Sequence, residues 1–356
     1  MRRRLPLPVV TSSPIAGVAL AGYTTLRLGG PAARLVHAAD SDAVVEAVRA
    51  ADAMGDPLLV LGGGSNLVIS DDGFDGTVVR MASRGSRLRD GVLTVEAGED
   101  WDATVELAVS SGLGGLECLS GIPGLVGATP VQNVGAYGVE IGDLLVSVDL
   151  LDRGSGEVRT VAATELGLGF RTSTLKRGYP AVVLRARFAL HVDGRSAPIR
   201  YAELARVLGV EVGTRVPPAE VRAAVLALRR GKGMVLDADD HDTWSAGSFF
   251  VNPILRDEQL TAVLARTGDG VPRYSRGDGA SKLSAGWLIE HAGFVRGYAG
   301  PGGRVSLSGK HALALTNRGG ASTEELLVFA REIRDGVHAA FGIGLLPEPV
   351  LIGCTL

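Results

Sequence analysis

Residues 116–138 read LECLSGIPGLVGATPVQNVGAYG, and the rest of the chain is interpreted around this apolar stretch. Pro123 and Pro130 exclude a regular helix or a central strand through its middle, because proline lacks the backbone N–H that both elements need. Glycines recur every few residues, and each lets the backbone approach another group closely. Taken alone, the stretch fits a long ordered loop about as well as a backbone cradle for a phosphorylated cofactor.

A second glycine run lies upstream, in residues 58–69, which read LLVLGGGSNLVI. The apolar residues on both sides predict two short strands joined by a turn at residues 62–66. Backbone amides and the Ser65 hydroxyl can converge there on one phosphate group. The run is not a dinucleotide fingerprint, since no G-x-G-x-x-G opens a helix, and it is not a P-loop, since no G-K-[ST] follows. Either run alone is weak evidence, but the two together are specific.

LGGGSNLVI followed by SGIPGLVGATPVQNVGAYG resembles the two glycine runs of the UDP-N-acetylenolpyruvoylglucosamine reductases, and the resemblance covers about residues 20–353. It implies an α+β chain, with an FAD-binding domain of the vanillyl-alcohol oxidase or PCMH type followed by a C-terminal α+β substrate-binding domain. It also implies a flavoprotein with noncovalent FAD that uses NADPH to reduce UDP-N-acetylglucosamine enolpyruvate to UDP-N-acetylmuramate, a peptidoglycan precursor. An insert after residue 192 resembles that of the longer subclass of this family.

The domain boundaries combine the resemblance with breaks in the hydrophobic pattern. We expect an FAD-binding domain at residues 20–192, with two subdomains that divide near residue 85, and an insert at 193–236 that carries substrate contacts. A substrate-binding domain then spans 237–342, and a strand within 343–356 returns to the FAD domain. Residues 1–19 begin with a run of arginines and continue into a partly apolar stretch. Prolines interrupt this stretch too often for the apolar region of a secretory signal, so we expect a disordered or loosely docked extension.

The implied reaction needs two kinds of catalytic group. Hydride adds to an electron-rich alkene, so a cation or acid must stabilise charge on the attached carboxylate, and an acid must protonate the other carbon. The resemblance gives the first role to Arg171 in GFRTS and Glu348 in LPEPV, and proton donation to Ser248 in AGSFFVNP. Most arginines and serines lie at surfaces and turns, so the motifs rather than the residue types carry these assignments.

The binding residues are assigned by the same resemblance. The cofactor residues lie in the two glycine runs and on one strand: Gly62, Gly63, Gly64, Ser65, Asn66, Leu67, Ser120, Gly121, Ile122, Pro123, Gly124, Gly127, Ala128, Gln132, Asn133, Gly135, Ala136, Tyr137 and Val183. The nucleotide-sugar residues carry rings, amides or positive charge: Tyr201, Lys232, Asn252, Lys282 and His311, with Arg229 as a helper. Three positions depart from the family pattern: Phe170 replaces a frequent tyrosine, His311 a more common amide, and Pro349 a more usual aliphatic residue.

Composition bounds the partners and the compartment. A net charge of -3 and a pI of about 6.1 give no electrostatic case for nucleic acid or an anionic membrane surface, and no apolar run is long enough to span a bilayer. Cys118 and Cys354 are the only cysteines, too few for a disulfide framework, so we expect a reducing cytoplasm. The histidines show no metal-ligand spacing. We expect a monomer with a UDP-sugar substrate and no metal.

Hydrophobic periodicity and capping residues predict the elements. We expect helices at 41–54 with Ser41 as the cap, 101–111, 219–230, 257–266, 282–294 and 323–341, and a short helix that opens at 201–204. We expect strands at 58–61, 67–69, 76–81, 92–97, 144–152, 158–161, 181–189, 307–317 and 345–353, with an opening strand and turn at 23–32.

Two other functions are compatible with a glycine cradle. One is an oxidase or dehydrogenase of the same flavin-binding fold that acts on another substrate, and this reading predicts loss of the serine motif and of Glu348. The other is a nucleotide-binding protein without catalysis, which predicts loss of all three candidate catalytic residues. Arg171, Ser248 and Glu348 are all present, which favours the reductase.

Overall fold

The strand Ala181–Ala189 lies at the centre of a five-stranded antiparallel sheet. Along it, buried Phe188 alternates with Arg187, whose guanidinium lies 2.8 Å from the Asp149 carboxylate on the neighbouring strand. This alternation places one face of the sheet in the core and the other in a layer of ion pairs. The strands follow one another across the sheet in the order Val158–Ala162, Leu145–Asp152, Ala181–Ala189, Val92–Glu96 and Ser86–Arg89.

This computed structural model describes residues 14–275 and 279–356, in which the chain forms two units. Unit 1 comprises the segment that ends at Val18 together with residues 32–62 and 75–228. Unit 2 comprises residues 19–31, 63–74 and 229–356. Residues 1–13 of the expected N-terminal extension lie outside the described residues. The predicted domain boundaries stay predictions.

A second sheet of four strands accompanies the first in unit 1. Its order is Val18–Ala19, Pro31–Ala38, Phe74–Met81 and Leu58–Leu61, and the last two strands are parallel. The helices are Ser41–Met54, Trp101–Ser110, Ala202–Leu208 and most of Pro218–Gly231. Asp40, and not Ser41 as predicted, caps the first helix, since its carboxylate accepts the Ala43 N–H at 2.8 Å.

Unit 2 is built from short strands and three helices. A three-stranded antiparallel sheet contains Ile254–Arg256, Ala280–Leu283 and Arg273–Ser275, and Val350–Ile352 pairs in parallel with Leu67–Ile69. The helices are Asp257–Thr267, Ala285–His291 and Thr323–Phe341. The predicted strand–turn–strand around the first glycine run is therefore confirmed, with strands at Leu58–Leu61 and Leu67–Ile69.

The helix Thr323–Phe341 has the bounds that its sequence predicts. Ser322 accepts the Glu325 N–H at 3.1 Å while the Glu325 carboxylate accepts the Ser322 N–H at 2.8 Å, which is a capping box. The Asp71 carboxylate accepts the Thr323 and Glu324 N–H groups at 2.8 and 3.0 Å, so a negative charge lies at the positive end of the helix. These bonds join the loop after the first glycine run to the rest of unit 2.

The prediction of an opening strand at residues 23–32 is wrong. Residues Leu20–Tyr23 form a 3₁₀ turn, and the strand begins only at Pro31 and runs to Ala38. Arg27 has φ of 56° and Gly29 has φ of 131°, values that no extended strand contains. The apolar residues of this segment fill the core of unit 2 instead, as Leu26 and Leu28 show.

Two further element predictions need correction in unit 2. Residues 307–317 form two antiparallel strands, Val305–Leu307 and Leu315–Asn317, because the chain reverses between them. The predicted helix at 282–294 begins only at Ala285, after a strand that ends at Leu283. Ser284 caps the helix by accepting the Trp287 N–H at 3.2 Å, so Lys282 lies on the strand.

Within residues 14–275 and 279–356, no helix is both long enough and apolar enough to span a lipid bilayer. The same residues contain no group of three or more histidine, cysteine or acidic side chains arranged to hold a metal ion.

One buried carboxylate joins the start of the glycine-rich stretch to the segment that follows the central strand. Glu117 is 0% exposed and accepts the Gly115 N–H at 2.6 Å and the Ala197 N–H at 2.5 Å. Burial raises the pKa of this carboxyl, although both N–H bonds oppose the rise.

We expect Glu117→Gln to destabilise the protein by about 1–3 kcal/mol, because the amide nitrogen would face one of the two buried N–H donors and leave it unsatisfied. Urea unfolding at neutral pH measures this loss. Glu211→Gln, at an exposed position, is the matched control and should change stability little. Equal effects of the two substitutions would contradict the role of Glu117.

Candidate active site

The two glycine runs come together in unit 1 at Gly62. A Cβ atom added to Gly62 would lie 3.8 Å from the Ala128 Cβ and 3.9 Å from the Leu125 Cβ, so the first run begins against the second. Within the second run, Gly121 and Gly124 have φ of 70° and 126°, values that favour glycine. The sequence therefore needs glycine here for backbone conformation and for close approach.

This surface fits a cofactor that has phosphates and a flat ring. Ile122, Pro123 and Gly124 are half-buried and Ala128 is exposed, so small side chains and backbone leave room for a ligand to approach. Gly127 packs inward instead, since a Cβ atom there would lie 2.6 Å from the Ala97 Cβ. The run thus combines glycines that close the fold with positions open to a ligand, which is what an anion-binding backbone concavity requires.

Arg171 lies in a two-residue turn of unit 1. Gly169 and Thr172 exchange backbone hydrogen bonds of 3.0 and 3.1 Å on either side of it. Arg171 has φ of 54°, in the left-handed region that an arginine rarely adopts and that costs on the order of 1–3 kcal/mol. Its Nη2 donates to the Gly135 carbonyl at 2.9 Å, so the glycine-rich stretch contacts the candidate catalytic cation directly.

Unit 2 brings two other catalytic candidates onto neighbouring segments. The Glu348 N–H donates to the Phe249 carbonyl at 2.9 Å, and Phe249 directly follows Ser248. Two residues beyond Glu348, the Val350 N–H donates to the Asn66 carbonyl at 2.9 Å. Backbone bonds therefore connect the serine motif, the C-terminal segment and the end of the first glycine run.

The same series of bonds continues to His311. The Phe249 N–H donates to the Leu313 carbonyl at 2.7 Å, and the Leu313 N–H donates to His311 Nδ1 at 3.0 Å. Burial, and then the positive charges of Lys232, Arg229 and Arg296, lower the pKa of His311 to about 4. A neutral imidazole thus stands among cations in unit 2, and a cluster of this charge suits a diphosphate.

Tyr201 lies at the N-terminal end of the helix Ala202–Leu208 in unit 1. Its ring packs edge-to-face on Tyr137 of the glycine-rich stretch, with 5.4 Å between the ring centroids, and it is 44% exposed. The structure therefore places a candidate substrate residue beside a candidate cofactor residue. Their roles stay predictions, as do those of all the binding residues below.

Four other predicted binding residues have side chains engaged in the fold. Val183 is buried in the central strand, and the buried Ser120 hydroxyl donates to the Glu117 carbonyl at 2.7 Å. The Asn252 Oδ1 accepts the Ala285 N–H at 2.9 Å, which leaves its amide nitrogen for other contacts. The Lys282 Nζ lies 5.5 Å from the centre of the Tyr274 ring, a cation–π contact.

One residue near the site has no motif that could have revealed it. Asp102 lies in the first turn of the helix Trp101–Ser110, where acidic residues are ordinary. Its carboxylate accepts the Gly121 N–H at 2.6 Å and the Arg222 guanidinium at 2.6 and 3.0 Å. Asp102 therefore ties the glycine-rich stretch to the helix Pro218–Gly231 of the predicted insert, a long-range contact that the sequence does not show.

The chain is similar to known proteins along most of its length. Residues 239–352 match the family model described as "UDP-N-acetylenolpyruvoylglucosamine reductase, C-terminal domain", and residues 32–162 match that described as "FAD binding domain". The UDP-N-acetylenolpyruvoylglucosamine reductase of Saccharopolyspora erythraea is 65% identical over 356 residues, which cover 97% of each chain. The chain belongs to the UDP-N-acetylenolpyruvoylglucosamine reductase family.

Other members of this MurB family agree. The enzyme of the same name from Streptomyces coelicolor is 54% identical over 95% of this chain and 90% of its own length. The crystal structure of MurB from Thermus caldophilus superposes with a TM-score of 0.66 at 27% identity, over 94% of this chain and 97% of that one. The predicted family, the FAD-binding domain and the C-terminal α+β domain are confirmed.

The lowered pKa of His311 predicts an acid-sensitive stability. In the unfolded chain this histidine is protonated below about pH 6.5, whereas in the folded protein it stays neutral down to about pH 4. The free energy of unfolding therefore falls as the pH drops through this window. We expect His311→Gln to remove about 2 kcal/mol of the decline between pH 7 and pH 5. Urea unfolding at pH 7 and pH 5 measures it, with His338→Gln at an exposed position as the control. Parallel pH profiles for wild type and His311→Gln would contradict the assignment.

Proposed function

We propose that this chain reduces UDP-N-acetylglucosamine enolpyruvate to UDP-N-acetylmuramate, with FAD as cofactor and NADPH as reductant. The observation that carries the proposal is the series of backbone bonds in unit 2 that connects Asn66, Glu348, the serine motif and His311. Membership of the family supplies the reaction and the FAD-binding domain. When bound by the two glycine runs, FAD would supply hydride transfer between NADPH and the alkene of the sugar.

The roles of the protein groups follow from the charge that develops on the substrate. Hydride addition to one alkene carbon leaves negative charge on the other carbon, and the carboxylate attached to that other carbon takes up this charge. We assign stabilisation of the charge to Arg171, whose guanidinium is held by a two-residue turn, and to Glu348. A serine hydroxyl is a weak acid, but the carbanion is a strong base, so Ser248 can give its proton to the second carbon and recover one from water.

Binding of the nucleotide sugar rests on charge and on rings. Lys232 and Arg229 are close enough to His311 to lower its pKa, so they form a cationic cluster for the diphosphate. Tyr201 is exposed beside Tyr137 and offers an aromatic surface to the substrate. NADPH carries a diphosphate as well, so the reductant and the sugar use these groups in turn.

Compartment and assembly complete the proposal. The chain acts in the cytoplasm as a monomer and assembles neither on nucleic acid nor on a membrane. Free cysteines fit a reducing compartment, and the net charge of -3 offers no electrostatic attraction to phosphate-rich partners. Peptidoglycan precursors are the product class, with functions in cell shape and division.

The visible spectrum of the purified protein tests the reaction. We expect a flavin spectrum that bleaches when NADPH is added under nitrogen and recovers when the enolpyruvyl UDP-sugar follows. A flavin that recovers only with oxygen would instead support an oxidase of the same fold. A protein that shows no flavin, even after FAD is supplied, would overturn the assignment of the glycine runs.

We expect Ser248→Ala to leave bleaching by NADPH within about twofold of wild type and to slow recovery with the sugar by about 10²-fold or more, because general acid catalysis contributes on the order of 10²–10⁴-fold. Stopped-flow absorbance separates the two steps. Ser111→Ala, at an exposed helix end, is the control. Equal slowing of both steps by Ser248→Ala would exclude proton donation as its role.

A further inference from the structure

The side chain of Asn133 is committed to the protein itself. It is 3% exposed and lies on a backbone with φ of 48°. Its Nδ2 donates to Glu140 Oε2 at 2.6 Å and to the Gly169 carbonyl at 3.1 Å, and its Oδ1 accepts the Gly142 N–H at 3.0 Å. A carboxamide has two N–H donors, so both are used within unit 1.

Glu140 fixes the direction in which this amide points. Glu140 directly precedes the 3₁₀ turn Ile141–Asp143, and the Asp143 carboxylate accepts the Glu140 N–H at 3.2 Å. An ionised carboxylate can only accept hydrogen bonds, so it requires the nitrogen of Asn133 and not its oxygen. The Gly142 N–H on the other side requires the oxygen. The amide therefore has one orientation.

The third partner of the amide belongs to the turn that carries Arg171. Gly169 is the first residue of that turn, and its N–H and carbonyl both pair with Thr172. At the other end, the Ser173 hydroxyl donates to the Val131 carbonyl at 2.5 Å. The glycine-rich stretch thus holds the turn on both sides, and Arg171 itself donates to Gly135.

We propose that Asn133, oriented by Glu140, is a positioning residue that holds the turn of Arg171 so that its guanidinium meets the charge that develops on the substrate. The left-handed backbone of Arg171 is costly, so the turn keeps this shape only while its neighbours hold it. Misplacement of a reacting group by about 1 Å can cost about 10²-fold in rate. The kinetic part of this inference rests on the proposed reduction, and the structural part does not.

The test uses Asn133→Gly, which removes the amide and tolerates positive φ, with Asp90→Gly as the control at an exposed turn residue whose φ is 51°. We expect Asn133→Gly to slow reoxidation by the enolpyruvyl UDP-sugar by about 10–100-fold and to slow bleaching by NADPH by a much smaller factor. Arg171→Lys is the reference for loss of the guanidinium. Hydrogen exchange of the peptide at residues 167–174 in the FAD-free protein should rise in Asn133→Gly alone.

The pair with Glu140 is tested by reversing its hydrogen bond. Asn133→Asp places two carboxylates together and should slow reoxidation at least as much as Asn133→Gly. Adding Glu140→Gln lets the introduced amide donate to the introduced carboxylate, but that carboxylate still cannot donate to the Gly169 carbonyl, so the double variant should recover no further than the rate of Asn133→Gly. Recovery to the wild-type rate would show that the bond to Gly169 does not hold the turn.

Three other results would overturn the inference. Equal slowing of bleaching and reoxidation in Asn133→Gly would make Asn133 a cofactor contact rather than a positioning residue. Unchanged reoxidation would show that it does not position Arg171. Unchanged hydrogen exchange at residues 167–174 would show that it does not hold the turn, and this readout applies even if wild-type flavin fails to respond to the sugar. That last failure would count against the proposed reduction instead.

Discussion

The backbone bonds between the serine motif and the C-terminal segment are the constraint on which the candidate site of unit 2 depends. Phe249 is bonded on one side to Glu348 and on the other to Leu313, so the residue beside Ser248 is held from two directions. Because these bonds use main-chain atoms, their geometry survives changes in the side chains that they present. A scaffold of this kind keeps a catalytic side chain within the narrow limits that reaction geometry requires.

Arg171 in unit 1 is held differently, because side-chain hydrogen bonds stabilise a strained backbone conformation there. Its left-handed conformation costs on the order of 1–3 kcal/mol, and a typical hydrogen bond contributes only about 0.5–1.5 kcal/mol. Three hydrogen bonds hold the turn, one each from Asn133, Ser173 and Arg171. Their summed free energy is therefore similar to the cost of the strained backbone that they oppose. Removal of one bond should shift the position of the guanidinium without unfolding the unit.

Sequence reasoning succeeded where the determining interactions are local. A cap at Ser322 or Thr323 and the apolar period predicted the helix Thr323–Phe341 to the residue. It failed at residues 23–32 and 307–317, where apolar composition suggested strands but the chain turns. Sequence motifs identified Arg171, Ser248 and Glu348 as candidates. The motifs could not show which contacts hold these residues in place. The orientation of Asn133 depends on Glu140, Gly142 and Gly169 together, and Glu117 accepts a hydrogen bond from the distant Ala197.

His311 stands at a position where the resemblance predicts an amide, and its neutral ring also has an N–H donor. Its Nδ1 accepts the Leu313 N–H, so a neutral ring must carry its proton on Nε2. A neutral imidazole in this tautomer keeps an N–H donor, a group that a side-chain amide also has. Burial and the charges of Lys232 and Arg229 keep the ring neutral by lowering its pKa to about 4. The neighbouring cations therefore help to maintain this N–H donor.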